Sequence, residues 1–265
     1  MELKMRLDKY LADMGVGKRS DIKKNIHAGK VQVAGEIIKD PGFNIPEADA
    51  VSTGNPAGNG TAGSTGNAAG NSAGKPEVLY LGEPVQYEAF EYYMLNKPAG
   101  VISASEDKHQ VTVLDLMKER KRSDLYPVGR LDKDTEGLLL ITNDGELTHR
   151  LLSPKHHTDK VYFARVSGRV TANDVKRFRH GIRYDEDLTA LPAVLTILSS
   201  GDVSEVETTI QEGKFHQIKK MFLALGKEVL YLKRLSMGPV RLDETLAPGE
   251  YRRLTEAEIN ALKEL

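Results

Sequence analysis

The sequence predicts an α+β protein, a small N-terminal α/β unit followed by a larger domain on a mixed, mainly antiparallel sheet. Two observations predict it. The first ~45 residues carry two short helical stripes and a hairpin, and from Tyr92 onward short strands recur, mostly joined by turns with a few helices between. At 265 residues the chain has room for both parts.

In the N-terminal unit, Leu7, Tyr10, Leu11 and Met14 sit at i, i+3, i+4 and i+7, one apolar face of a helix, and Gly15 follows as its C-terminal stop. Ser20 reads as the N-cap of a second helix that carries Ile22 and Ile26 and stops at Gly29. Its lysines lie off the apolar stripe and face solvent or a partner. Val31-Gln32-Val33 alternates like a strand, Ala34-Gly35 turns the chain, and Ile37-Ile38 returns.

Between Ser52 and Gly74 the chain has no charge, no aromatic and no Leu, Ile, Val or Met, and Gly54–Asn59 is loosely repeated at Gly66–Asn71. Such a stretch cannot bury enough apolar surface to offset its ordering entropy, so a disordered insertion with only a spacing role is expected. Order returns at Val78-Leu79-Tyr80-Leu81 with a turn at Gly82-Glu83-Pro84, which reads as the end of the interrupted first unit. The domain boundaries are therefore predicted as 1–86 and 87–265, with the junction near Gln86–Glu91. In the second domain Tyr92–Leu95, Leu138–Ile141, Val161–Val166 and Glu205–Ile210 read as strands.

Composition excludes several function classes. No apolar run approaches the ~20 residues needed to cross a bilayer. Met1-Glu2-Leu3-Lys4 lacks a charged-then-apolar leader, so a cytoplasmic protein is expected. The absence of cysteine removes disulfides, thiolate nucleophiles and cysteine-based metal centres together. The net charge of −1 argues against a nucleic-acid partner only until its distribution is seen. Lys18, Arg19, Lys23, Lys24 and Lys30 form one basic cluster. Arg150, Lys155, His156, His157 and Lys160 form a second, and Lys214, His216, Lys219 and Lys220 a third. Each alone reads as a solvated face, but all three flank candidate motifs.

Chemistry concentrates in Gly129-Arg130-Leu131-Asp132-Lys133-Asp134-Thr135-Glu136-Gly137, a polar, glycine-bounded loop that runs into the apolar strand Leu138–Ile141. Its three carboxylates fit a solvated turn, a metal site or a reactive loop. A calcium loop would need a glutamate at the twelfth position from Asp132, where Asn143 stands. The adjacent His156 and His157 suit phosphate contact or plain solvation better than chelation of one ion. Ile218, Met221, Phe222 and Leu225 form a further helical stripe ending at Gly226, and Lys219 beside it faces either solvent or a cleft.

Together these segments resemble the ribosomal RNA pseudouridine synthases of the small-subunit (16S) type. Gly129–Leu140 is similar to that family's signature around its catalytic aspartate, Asn96-Lys97-Pro98-Ala99-Gly100 to its upstream Lys-Pro motif, and Phe215–Met221 to its downstream basic motif. Leu7–Ile38 resembles the RNA-binding domain first recognised in ribosomal protein S-four. The resemblance covers nearly the whole chain except Ser52–Gly74.

It implies a cofactor-free isomerase acting on rRNA, free or in an assembling particle. Asp132 would be the nucleophile, Tyr162 would pack against the target base as general base, and Lys219 would pair with Asp132. A fixed cation favours the ionised carboxylate that attack requires. Arg130 would hold a phosphate or fill the position of an extruded base. Lys18, Arg19, Lys23, Lys24, Lys97, His156, His157 and Lys220 are expected to grip RNA. A monomer is expected, with no metal. A synthase for large-subunit 23S rRNA would share these motifs, although Gly15–Ser20 looks more like the small-subunit type. A non-catalytic ribosome-assembly protein would keep the basic unit but has no need of the Asp132, Tyr162 and Lys219 trio.

Overall fold

A computed structural model describes residues 5–45, 76–186 and 188–265. Contacts divide the chain into two units, residues up to 89 with 121–123, and 90–120 with 124–265. The predicted insertion Ser52–Gly74 lies outside the described residues.

The first unit runs β1 (Met5–Arg6), α1 (Leu7–Asp13), α2 (Arg19–His27), β2 (Val31–Val33), β3 (Glu36–Ile37), β4 (Asn44–Ile45), β5 (Val78–Tyr80) and β6 (Glu83–Pro84). Leu7, Leu11, Ile22 and Ile26 are fully buried against Val31, Val33, Val78 and Tyr80 of the sheet β3-β2-β5-β6. Because β5 pairs antiparallel with β2, the segment 78–84 completes the first unit. The hairpin turn at Ala34-Gly35 has φ of 50° and 82°, the double left-handed turn that matches strand twist. The start of α2 differs from expectation. Lys18, not Ser20, caps it, with no side-chain bond and with its carbonyl accepting from Asp21 and Ile22.

The second unit continues with β7 (Tyr92–Lys97), β8 (Tyr126–Pro127), β9 (Glu136–Thr142), α3 (Gly145–Leu152), β10 (Lys160–Ser167), α4 (Ala172–His180), β11 (Val194–Ser199), β12 (Val203–Ile210), α5 (Gln217–Leu223), β13 (Val229–Met237), β14 (Val240–Arg241), β15 (Tyr251–Arg253) and α6 (Glu256–Lys263). The main sheet runs β11-β12-β10-β13-β9-β7-β15 and is antiparallel throughout this path except between β13 and β9. The expected α+β class with a mixed, mainly antiparallel sheet is what the protein has.

Strands β7 and β9 are buried on both faces. Tyr93, Leu95, Leu139 and Ile141 join Phe178 of α4 and Phe222 of α5 in one core, while Met94, Leu138 and Leu140 join Leu147 and Leu151 of α3 and Leu262 of α6 in the other. This explains why both strands read as continuous apolar runs. Helix α5 stops at Leu223, two residues short of the end of the predicted stripe, and Gly226 follows with φ of 70°.

Candidate active site

The loop from Gly129 to Gly137 is held from beneath and from both sides. Lys97 at the end of β7 is wholly buried, and its Nζ donates to the carbonyls of Thr135 (2.8 Å), Pro98 (3.0 Å) and Lys133 (3.3 Å). Gly100 N–H donates to the Lys133 carbonyl as well. On the other side of Asp132, Ser103 Oγ donates to the Leu131 carbonyl at 2.9 Å and accepts from its N–H at 3.0 Å. The loop ends at Gly137, whose φ is 98°. A Cβ there would sit 2.2 Å from the Arg234 carbonyl oxygen, so only glycine permits this junction of β9 with β13.

The clamp presents Asp132 with its side chain 26% exposed. Lys219 of α5 reaches it from the opposite side, with Nζ 3.0 Å from Asp132 Oδ2 and 2.6 Å from Asp134 Oδ1. Burial works to lower the Lys219 pKa, but the bonds to Asp134 and Asp132 outweigh it and raise it, so the ammonium is firmly charged. Burial likewise opposes ionisation of Asp134, and its bond to Lys219 prevails to hold that carboxyl below the usual range. His216 lies on Asp132's other oxygen, Nε2 to Oδ1 3.5 Å, with its backbone left-handed at φ 54°.

Asp132 and Lys219 line a cavity of about 60 Å³ together with Arg130, Tyr162, Ile210 and Leu232. A wider cleft of about 450 Å³ adjoins it, and Asp132, His216 and Lys219 line both. Tyr162 enters from β10, its ring buried, just after a register shift between β10 and β13 at Val161/Tyr162. Irregularities of this kind re-aim side chains beside active sites. The carboxylates of the loop do not gather. Asp132 and Asp134 flank Lys219, while Glu136 accepts from the Tyr231 hydroxyl at 2.7 Å.

The predicted residues therefore separate. Asp132, Tyr162, Lys219 and Arg130 converge on one cavity. Lys97 does not face RNA. Its zero exposure and three carbonyl partners make it a clamp on the loop, which corrects the expectation that it grips RNA. Lys160, counted with a basic surface cluster, is also buried. Its Nζ donates to the Thr158 carbonyl at 2.7 Å, and burial with the nearby Arg234 charge pushes its pKa down to about 8. Lys220 is engaged at 3.0 Å by Asp185. His156 and His157 are exposed in the segment after α3. The end of that helix packs Leu152 against Gly129, 2.9 Å from where a Cβ would stand, so their loop leaves the helix beside Arg130.

In the first unit Lys18, Arg19, Lys23 and Lys24 are all exposed. What sequence reasoning missed is Asp8, wholly buried beneath them. Its carboxylate pairs with Arg6 (3.1 Å), Arg19 (3.3 Å) and Lys23 (3.8 Å). Burial acts to raise the Asp8 pKa, but the bonds and charges of Arg6 and Arg19 outweigh it and hold it low. One carboxylate thus aligns three cations and leaves the face positive. Ser103 and the Asp132 contact of His216 were missed too. The first lies in a stretch without periodicity, and the second was counted only as one charge in a cluster.

An aspartate and lysine pair thus lines one cavity with a buried tyrosine. Residues 91–224 match the family described as RNA pseudouridylate synthase and residues 5–51 match the S4 domain. The chain belongs to the RNA pseudouridylate synthase family, isomerases that act on RNA, and carries an S4 RNA-binding domain. It is 43% identical to the uncharacterized RNA pseudouridine synthase YtzG of Bacillus subtilis, over 98% of this chain and 99% of that protein. It is 36% identical to the ribosomal small subunit pseudouridine synthase A of Escherichia coli K12, over 96% of this chain and 98% of that one. The solved structure of a pseudouridylate synthase aligns with TM-score 0.62 and 35% identity, covering 97% of this chain and 99% of the other. The resemblance read from the motifs is thereby confirmed.

Proposed function

We propose that this enzyme converts one uridine of small-subunit 16S rRNA to pseudouridine, with Asp132 as nucleophile. The observation that carries the reading is Asp132 itself. It is clamped on both sides, paired with Lys219, and opens into a cavity whose wall is Tyr162. Relatives named for the small ribosomal subunit, matched over nearly their full length, support the choice of RNA.

The reaction breaks the bond from C1′ to N1 of the base, turns the base, forms the bond from C1′ to C5, releases the C5 proton and returns a proton to N1. No atom is gained or lost, so no cofactor is required. Lys219 ion-pairs with Asp132 and orients it for attack, Tyr162 packs on the base and takes the C5 proton, and Arg130 holds the phosphate or occupies the vacated stack. Extruding the uridine costs a few kcal/mol, which phosphate contacts by Lys18, Arg19, Lys23 and Lys24 and by the His156-His157 loop offset. The protein acts as a monomer in the cytoplasm on free rRNA or an assembling particle. Among the described residues no helix is long and apolar enough to cross a membrane.

Pseudouridine is mapped in small- and large-subunit rRNA after incubation with the parent and with Asp132→Asn. A single new site in 16S rRNA, absent with the variant while RNA binding falls little, is expected. A site in 23S rRNA would move the substrate, and pseudouridine formed by Asp132→Asn would overturn the nucleophile.

A further inference from the structure

Stacked on His216, which lines the cavity, stands an aromatic side chain that neither the fold nor the proposed chemistry uses. Phe215 is 69% exposed, the most exposed of the large apolar residues described. It lies flat on the His216 ring, with centroids 3.8 Å apart and planes 19° from parallel. His216 in turn reaches Asp132 at 3.5 Å. The pair is held at a backbone cost, since His216 adopts a left-handed φ of 54° that L-residues avoid. With one face of Phe215 on His216, its large exposure leaves much of the ring accessible to solvent, with the Lys220 ammonium over it. Cations surround it. Lys220 Nζ lies 5.9 Å from the ring centroid, and Lys214 and Lys219 line the adjoining cavity.

We propose that the accessible part of the Phe215 ring is a stacking platform for a second RNA base, one that flanks the target uridine. The inference rests on the function proposed above. Extruding a uridine leaves its neighbours with an unstacked face, and an aromatic ring stacked on the cavity lining replaces that lost contact. Lys220, beside the ring and paired with Asp185 in the structure, would exchange that partner for a phosphate next to such a base. Phe215 does not line the target cavity itself, whose apolar lining includes Tyr162, Ile210 and Leu232, so it serves a different nucleotide. Through the Phe215–His216–Asp132 chain of contacts, a docked flanking base also steadies the groups beside the nucleophile. Phe215 is a positioning residue in this scheme.

The chain has no tryptophan, so Phe215→Trp introduces a single fluorophore at the platform. Its emission is read while small-subunit rRNA is titrated in, with filter binding of the same mixtures. Quenching that follows binding and reverses with salt is expected. In pseudouridine assays Phe215→Ala should raise KM on the order of tenfold with kcat changed little. Phe215→Leu, which restores apolar bulk without a π-face, should behave like the alanine variant. Unchanged tryptophan emission with RNA demonstrably bound, or a parent-like KM in both variants, would overturn the platform. A parent enzyme that forms no pseudouridine in rRNA instead refutes the proposed function, and the emission reading still tests the stack.

Discussion

Replacing Lys97 by methionine keeps most of the side-chain volume and removes the charge together with three hydrogen bonds, to the carbonyls of Thr135, Pro98 and Lys133. Two opposing effects follow. Burial pushes the Lys97 pKa down to about 8 from 10.5, against the pull of Asp134, Glu136 and Asp132. That drop means folding disfavours the charged amine by roughly 3 kcal/mol at neutral pH, a cost the variant escapes. Against this, the variant takes the Nζ donor from the Thr135 carbonyl, the one buried bond of the three, at about 1–3 kcal/mol, while the Lys133 carbonyl keeps the Gly100 N–H. The net change in stability is therefore small, on the order of 1–2 kcal/mol of either sign. Activity behaves otherwise, because the lost bonds are those that fix the backbone on the C-terminal side of Asp132. A displacement of about 1 Å at a reacting group costs on the order of a hundredfold in rate.

Urea unfolding and kcat on rRNA are measured side by side for parent and Lys97→Met. Because the folded pKa lies below the unfolded one, the penalty is fully present below pH 8 and fades as pH rises toward 10.5. The parent should accordingly gain stability relative to the variant across that window. The comparison isolates Lys97 from Lys160, which is pushed down to about 8 in both proteins. A variant with parent kcat would refute the clamp, and parallel stability curves from pH 7 to 10 would refute the buried charge.

Gly137→Ala should destabilise the second unit by roughly 2–5 kcal/mol, because the new methyl meets backbone atoms of Arg234 at 2.2 and 2.8 Å and φ is 98°. A urea midpoint close to the parent's would show that β9 and β13 can part without cost. Changing Lys23 and Lys24 together to alanine should weaken rRNA binding and reduce its salt slope by about 1–2, one phosphate contact each. The outcome that counts against this grip is filter binding with the same slope in potassium chloride as the parent.

What the sequence made legible follows from what it encodes. Stripes and alternation of apolar residues located α1, α2, β2, β7, β9, β10 and β12, because burial on one or two faces leaves a period. Helices α4 and α6 carried a readable signal that went unread, the capping boxes Thr171 to Asp174 and Thr255 to Glu258, both formed in the structure. Strand β13 was missed because Lys233 and Arg234 interrupt its apolar pattern. Residue type alone does not reveal that a charge on a central strand turns inward, so Lys97 and Lys160 read as surface. Asp8 failed for the same reason, as a lone acid beside basic residues reads as solvated until its zero exposure is known. The Asp132 loop stood out as polar groups between two glycines ahead of a buried strand, but its composition left a turn, a metal site and a reactive loop open, and the family resemblance chose among them.

The net charge of −1 also has a structural answer. Lys97, Lys160 and Arg234 are buried in the main sheet with carbonyl partners: Thr135, Thr158 and Leu138. All three sit in or beside the strands that carry the Asp132 loop and Tyr162. Water screens them poorly, so each acts over a longer range than an exposed lysine does. Their placement costs stability, as the depressed values of Lys97 and Lys160 show. An overall charge near zero is then compatible with a polyanionic substrate. The potential that matters is the local one, set by fixed buried cations in the main sheet and by exposed ones around the first unit's helix α2.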